Sequence, residues 1–98
     1  MKDYRVVWQS DARSDLIAIY RWIADAADPG TAIGFIEAIR GHTGKLASFP
    51  SRGRPREDIG PGIRTVPFRR RTLIAYRVHS DWVEILRVAY AGRHLGLD

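Results

Sequence analysis

The feature that most restricts the fold of this chain is a pair of consecutive apolar stripes with helical spacing. Residues 11–27 and residues 29–47 each gather most of their apolar side chains within one arc when successive residues are set about 100° apart. Ser10 offers an N-cap for the first helix, and Asp28-Pro29-Gly30 ends that helix and starts the second. Neither apolar face is stable in water, so the pattern predicts a helical hairpin packed on another layer.

Four runs rich in branched and aromatic residues predict the strands of that other layer. One run precedes the hairpin and three follow it, at residues 4–8, 63–68, 71–79 and 82–90. The density of Pro and Gly in residues 49–62 predicts a long loop without regular structure. The order β-α-α-β-β-β predicts an α+β fold, in which the helical hairpin covers an antiparallel sheet and residues 1–98 form a single domain.

The pair Ser80-Asp81 predicts a two-residue loop between the last two strands. This loop length aligns Arg77 with Glu84, Tyr76 with Ile85, and Ala75 with Leu86. The first of these pairs brings opposite charges together, so Arg77 is expected to form a cross-strand ion pair, and a ligand contact is the alternative.

Composition excludes several classes of protein. The 98 residues contain no cysteine, which excludes a disulfide framework and a thiolate nucleophile. His42, His79 and His94 are scattered along the chain and predict no metal site. No run approaches the ~18 apolar residues of a membrane span, and the N-terminus lacks the apolar core of a signal peptide. We therefore expect a cytoplasmic protein with no cofactor and no membrane association.

The charge lies in the second half of the chain. Residues 1–50 carry six basic and six acidic side chains, whereas residues 51–98 carry ten arginines and five acids, which accounts for the net charge of +5. The arginine fork suits carboxylate and phosphate, so an acidic protein or a nucleic acid is favoured as partner. The alternative is a solvated basic face with no partner.

Two helical features interrupt the amphipathic pattern. Trp22 falls on the polar side of the first helix, and Gly34, Ala38 and Gly41 form a stripe of small residues on the outer side of the second. An aromatic side chain beside a shallow groove suits the docking of a partner segment. The alternative is that Trp22 covers its neighbours and the glycines only weaken the helix.

Taken in order, these residues resemble the RelE/ParE toxin superfamily of bacterial toxin–antitoxin systems, and its ParE-like branch in particular. The resemblance rests on Asp15-Leu16-x-x-Ile19-Tyr20, Pro29-x-x-Ala32-x-x-Phe35, Gly62-Ile63-Arg64, Ile74-x-Tyr76-Arg77-Val78, Glu84-Ile85-Leu86-Arg87-Val88 and Gly92-Arg93. It implies a type II toxin that inhibits DNA gyrase without enzymatic activity. It also implies that a cognate ParD-like antitoxin neutralises the toxin by direct binding in a hetero-oligomeric complex.

The RelE branch supplies the alternative, a ribosome-dependent mRNA endonuclease. ParE-like tails commonly read His-x-x-Arg after the last strand, whereas this chain reads Tyr90-Ala91-Gly92-Arg93-His94, which keeps the alternative open. Arginine stays protonated and is a poor base, and no lysine follows Lys45. The gyrase reading implies no catalytic residue. The candidates under the endonuclease reading are Tyr90, His94, Arg93 and Arg64.

Two binding surfaces follow from the charge and the small-residue stripe together with the resemblance. The expected target-binding residues are Arg64, Arg70, Arg71, Arg77, Arg87, Arg93 and His94. The expected antitoxin-binding residues are Trp22, Gly34, Ala38, Gly41, Arg54 and Arg56. The same arginines also suit direct contact with nucleic acid.

Overall fold

The computed structural model describes residues 3–91, which form two helices packed on a mixed sheet of five strands. The helices are α1 (Ser10–Ala26) and α2 (Pro29–Gly44). The strands are β1 (Arg5–Trp8), β2 (Arg54–Pro55), β3 (Ile63–Phe68), β4 (Thr72–Val78) and β5 (Trp82–Tyr90). Their order across the sheet is β1-β5-β4-β3-β2. The predicted α+β class with a helical hairpin on a sheet is confirmed.

The sheet differs from the expectation in one respect, because it is mixed and not wholly antiparallel. Strands β2 to β5 pair antiparallel, but β1 runs parallel to β5, with Val6 beside Val83 and Trp8 beside Ile85. Parallel pairing needs a long crossover between the two strands. The helical hairpin supplies the first part of that crossover and lies against the sheet.

The predicted hairpin register is confirmed near the turn and wrong farther along. Arg77 pairs with Glu84 and Tyr76 with Ile85, as expected. A β-bulge between Ala75 and Tyr76 then places Ala75 opposite Arg87 and not opposite Leu86. A bulge inserts one extra residue into one strand, and here that extra residue is on β5.

The two helix starts show how local signals compete with tertiary contacts. Ser10 is wrong as the N-cap of α1, because Gln9 occupies that position and Ser10 is already helical. The Gln9 side chain does not cap the helix and instead bonds to Glu84 of β5. Asp28 is confirmed as the cap of α2, since its carboxylate accepts a hydrogen bond of 2.8 Å from the Thr31 amide. The predicted last turn of α2 is a separate 3-10 helix, Lys45–Ala47.

The prediction of an irregular loop over residues 49–62 is only partly right. The segment contains a 3-10 turn, Pro50–Arg52, and the short strand β2, which pairs with β3. The Tyr76 side chain explains why this segment is ordered. Its hydroxyl donates to the Pro50 carbonyl at 2.7 Å and accepts from the Gly53 amide at 2.9 Å. A buried side chain of β4 thus holds a segment whose own sequence favours no regular structure.

The core lies between the helical hairpin and one face of the sheet. It contains Leu16 and Ile19 of α1, Ile39 of α2, and Ile74 and Ile85 of the central strands. The apolar arcs predicted for the two helices are wider than the faces that the helices bury, because Ile17 and Ile33 are 54% and 47% exposed. No helix within residues 3–91 is long and apolar enough to cross a membrane.

Candidate interaction surfaces

Aromatic rings from both layers form a line at one end of the sheet, where β3 and β5 end and β4 begins. The Trp22 ring lies 4.9 Å from that of Tyr90, Tyr90 lies 5.3 Å from Phe35, and Phe35 lies 5.6 Å from Phe68, all edge to face. This geometry is favourable for aromatic pairs because the ring edge is positive and the face negative. We call these four residues the aromatic row. It joins α1 and α2 to the strands β3 and β5.

The three arginines 69–71, here called the arginine turn, connect β3 to β4 beside the aromatic row. Arg69 has φ of 56°, a left-handed conformation that is uncommon outside glycine. Its guanidinium carbon lies 5.3 Å from the ring centroid of Phe35 and 4.9 Å from that of Phe68. These distances allow cation–π attraction, which holds the Arg69 charge over the row. Arg70 and Arg71 are exposed.

His42 extends the contact between α2 and this end of the sheet. Its ring lies 5.1 Å from the Phe68 ring, and its Nε2 lies 3.1 Å from the Pro67 carbonyl oxygen. Burial lowers the pKa of His42, and the nearby charges of Lys45 and Arg52 act in the same direction. The neutral ring with its proton on Nε2 therefore suits this site best, because that tautomer donates to the carbonyl.

Two of the expected target-binding arginines hold the segment before β3 in place. Arg64 Nη1 donates to the Gly53 carbonyl at 2.7 Å and to the Ser51 carbonyl at 3.1 Å. Arg77 Nε donates to the Pro61 carbonyl at 3.1 Å. Both guanidinium groups are therefore engaged in stabilising the segment before β3.

Arg87 is held by a carboxylate of α1. Its Nε and Nη2 donate to the two oxygens of Asp15 at 2.9 and 3.0 Å, and Asp15 also accepts from the Val88 amide at 2.8 Å. This bidentate arrangement raises the pKa of Arg87, chiefly through the hydrogen bonds to Asp15. Arg87 thus ties the helical layer to β5.

The expected ion pair between Arg77 and Glu84 is present but long, with 3.9 Å between Nη1 and Oε1. Glu84 has nearer partners that sequence reasoning missed: His79 Nε2 at 2.9 Å and the Gln9 side-chain amide. The His79 ring also stacks on Trp82, with 4.1 Å between centroids. Glu84 is therefore the centre of a polar cluster that joins the start of α1 to β4 and β5.

The expected antitoxin-binding residues fall on three elements. Trp22 on α1 is 42% exposed and belongs to the aromatic row. Gly34 and Gly41 on α2 are exposed, and a Cβ built on either would meet no atom within 4 Å. The predicted small-residue stripe is interrupted, because Ala38 between them is half-buried and packs against the core.

The two arginines expected to bind antitoxin lie at the edge of the sheet that β2 forms. Arg54 belongs to β2 and is exposed. Arg56 follows that strand and forms a salt bridge of 2.9 Å with Asp58. The hydrogen bonds of this pair raise the pKa of Arg56 and lower the pKa of Asp58.

The structure does not bring together the two described residues of the catalytic alternative. Arg64 pairs with Tyr76 of β4, whereas Tyr90 pairs with Thr72 of the same strand. Four residues along a strand span roughly 13 Å, so these side chains lie toward opposite ends of the sheet. Arg93 and His94 lie outside the described residues 3–91. Within that part of the chain no group of His and acidic residues could hold a metal ion.

Sequence reasoning also missed two residues beside the arginine turn. Phe35 and Thr72 line a cavity of about 250 Å³ together with Arg69, Arg70, Arg71 and Tyr90. The helical pattern predicts Phe35 to be a core residue, and the strand pattern gives Thr72 no special role. Only the pairing of β3 with β4 and the packing of α2 bring them together.

Comparison with known proteins defines the class. Residues 6–95 match the family model described as the ParE toxin of the type II toxin–antitoxin system parDE. The chain belongs to this family of toxins. Toxin ParE3 of Caulobacter vibrioides is 29% identical over 84 residues, which cover 86% of this chain and 83% of the relative.

Two solved structures share the fold. The chromosomal ParDE toxin–antitoxin system of P. aeruginosa contains a chain with a TM-score of 0.79 and 26% identity, covering 90% of this chain and 96% of that one. The RelBE2 toxin–antitoxin complex of Mycobacterium tuberculosis contains one with a TM-score of 0.61 and 26% identity, covering 90% and 98%. The predicted membership of the RelE/ParE superfamily and of its ParE-like branch is therefore confirmed.

Proposed function

We propose that this toxin inhibits DNA gyrase without enzymatic activity of its own, in the cytoplasm, and is neutralised by direct binding of a cognate ParD-like antitoxin in a hetero-oligomeric complex. The observation that carries the proposal is the family match over residues 6–95. The higher TM-score of the ParDE chain compared with the RelBE2 chain, 0.79 against 0.61, supports it. The separation of Arg64 from Tyr90 along β4 also favours binding over acid–base catalysis.

The antitoxin surface in this proposal comprises Trp22, Gly34 and Gly41, with Ala38 beneath them and Arg54 and Arg56 at the β2 edge. A segment that folds on contact can lay apolar side chains over α2, where the glycines leave open space. Its acidic side chains would meet the basic residues of the toxin, whose net charge is +5.

The target surface centres on Arg70 and Arg71, with Arg93 and His94 following β5 in the sequence. The exposed arginines of the turn are available to phosphate or carboxylate. Arg64, Arg77 and Arg87 contribute by holding the loop, the sheet and α1 in place, since each is bonded within the chain. The proposed surface thus contains contacting and supporting arginines.

A supercoiling assay with purified gyrase and plasmid tests the proposal. We expect the wild type to leave linear DNA after protease treatment, and Arg93→Ala to leave much less. Arg13→Ala is the matched control, because Arg13 is an exposed arginine on α1 outside both proposed surfaces. Absence of linear DNA, with protein that melts cooperatively and binds its antitoxin, would refute the gyrase proposal. Cleavage of mRNA on ribosomes would then be the function to test, with Tyr90 and His94 changed next.

A further inference from the structure

We infer that the cavity between the arginine turn and the aromatic row binds a phosphodiester group of an unpaired nucleic-acid strand. The inference rests on the proposed function for the identity of the strand, namely DNA that gyrase has opened. It adds a defined pocket and three residues, Phe35, Arg69 and Thr72, to that function.

The cavity has the size and charge for such a ligand. Its volume of about 250 Å³ is several times the ~30 Å³ that one water occupies in the liquid. Three arginines line it, whereas none of its lining residues is acidic. Neither Arg70 nor Arg71 forms a salt bridge with another residue in the range 3–91. Two guanidinium groups are thus available to an anion.

Thr72 supplies an independent indication of a ligand. The residue is 4% exposed, and its Oγ1 has no hydrogen-bond partner within the described part of the chain. Buried polar groups in folded proteins nearly always have a partner, so an unpaired hydroxyl at a cavity wall requires an explanation. Thr72 pairs directly with Phe68 and Tyr90 on the neighbouring strands. Paired residues share a face of the sheet, so the hydroxyl lies on the face that carries the aromatic row.

The combination of groups favours nucleic acid over an acidic peptide. Single-stranded nucleic acid is held by a basic groove for the backbone and by aromatic rings for the bases. Here Phe35 and Tyr90 line the same cavity as the three arginines. The forked guanidinium of Arg70 or Arg71 can contact one phosphodiester oxygen. The Thr72 hydroxyl is covered in the free protein, so its side chain must turn toward the cavity to donate to another oxygen. Arg69, already held over Phe35 and Phe68, adds a positioned charge.

Binding of labelled single-stranded DNA of ~12 nucleotides by the full chain, followed by fluorescence anisotropy without gyrase or antitoxin, tests the inference. We expect Arg71→Gln to weaken binding about tenfold. The slope of log K against log salt should fall in magnitude by ~0.7, the value for one phosphate contact with a single strand. Arg13→Gln removes the same charge from α1 and should change the affinity less than twofold. Equal losses in the two variants would overturn the inference, because net charge alone would explain them.

Variants of Thr72 separate the pocket from a diffuse basic surface. Thr72→Val keeps the shape and removes the hydroxyl, so binding should weaken without a lower melting temperature. Thr72→Ser keeps the hydroxyl and should bind the DNA as the wild type does. Equal DNA affinity of the Val and Ser variants would overturn the proposed role of the hydroxyl.

Two competing ligands identify what the pocket recognises. RNA of the same sequence tests the assignment to the gyrase substrate, which a preference for RNA over DNA would overturn. An oligoglutamate peptide should not displace the DNA. Displacement that Thr72→Val abolishes would instead assign the pocket to a carboxylate-bearing protein. DNA binding without gyrase inhibition would refute the proposed function alone, and gyrase inhibition without DNA binding would refute this inference alone.

Discussion

At the scale of single residues, one contact explains why glycine occupies position 53. The Gly53 amide donates to the Tyr76 hydroxyl, which in turn donates to the Pro50 carbonyl. A Cβ at position 53 would lie against the Tyr76 hydroxyl, 2.8 Å from Tyr76 Cε1 and 2.9 Å from the Thr65 carbonyl oxygen. Burial raises the pKa of Tyr76, so its hydroxyl remains a donor at neutral pH. The glycine is therefore needed for close approach to β3 and β4.

Gly53→Ala should accordingly lower the free energy of unfolding by about 2–4 kcal/mol, the sum of overpacking and disturbed hydrogen bonds. Urea unfolding measures the change. Gly44→Ala is the control, since a Cβ at the end of α2 would meet no atom within 4 Å. That variant should unfold within about 1 kcal/mol of the wild type. Unchanged stability of Gly53→Ala would contradict the role assigned to Tyr76.

At the scale of elements, α2 combines a well-specified start with an unusually bare outer face. Asp28 and Pro29 define where the helix begins, and its inner face buries Ala32 and Ile39. Gly34 and Gly41 leave its outer face open. Each glycine weakens a helix interior by roughly 1 kcal/mol relative to alanine. Close packing of a partner against α2 would explain why glycine occupies these two positions.

The double variant Gly34→Leu and Gly41→Leu should therefore fold normally and bind the antitoxin at least tenfold more weakly, about 1.4 kcal/mol. The leucines have room in the free toxin but would fill the space that the antitoxin needs. Calorimetric titration with the antitoxin measures the affinity, and thermal melting checks the fold. Ser14→Leu, at an exposed position on α1 two turns before Trp22, is the control. Unchanged affinity with normal melting would remove α2 from the antitoxin site.

At the scale of the whole molecule, the helical layer and the sheet are joined by polar contacts as well as by the core. The carboxylate of Asp15 holds both Arg87 and the Val88 amide, and the side chains of Asp15 and Arg87 are only 16% and 25% exposed. Removal of the carboxylate would leave a half-buried guanidinium and an amide without their partner. Such unmade charged hydrogen bonds are costly.

Asp15→Ala should lower the free energy of unfolding by about 1.5–3 kcal/mol. Asp25→Ala, at an exposed position of the same helix, removes the same charge and is the matched control. We expect the control to change stability by less than about 1 kcal/mol, as for other exposed charges. Denaturant unfolding of both variants provides the measurement. Equal losses would mean that charge on α1, and not the contact with Arg87, matters.

Local signals account for the parts of the fold that sequence reasoning predicted well. The bounds of β3 and β5 follow from their runs of branched and aromatic residues, and the start of α2 follows from Asp28 and Pro29. Each of these signals acts between residues close in the chain, so no knowledge of distant partners is needed. The Ser10 cap fails for the opposite reason, since Gln9 is held by Glu84, 75 residues away.

The sequence by itself determined the class of the protein, the helical hairpin, the central strands and the concentration of positive charge in the second half. Only the tertiary structure decided what each arginine does. Arg64, Arg77 and Arg87 look like Arg70 and Arg71 in the sequence, yet the first three are bonded within the chain and the last two are exposed. The physical reason is that an arginine's role depends on which carboxylates, carbonyls and rings the fold places within its reach, and those partners come from distant segments.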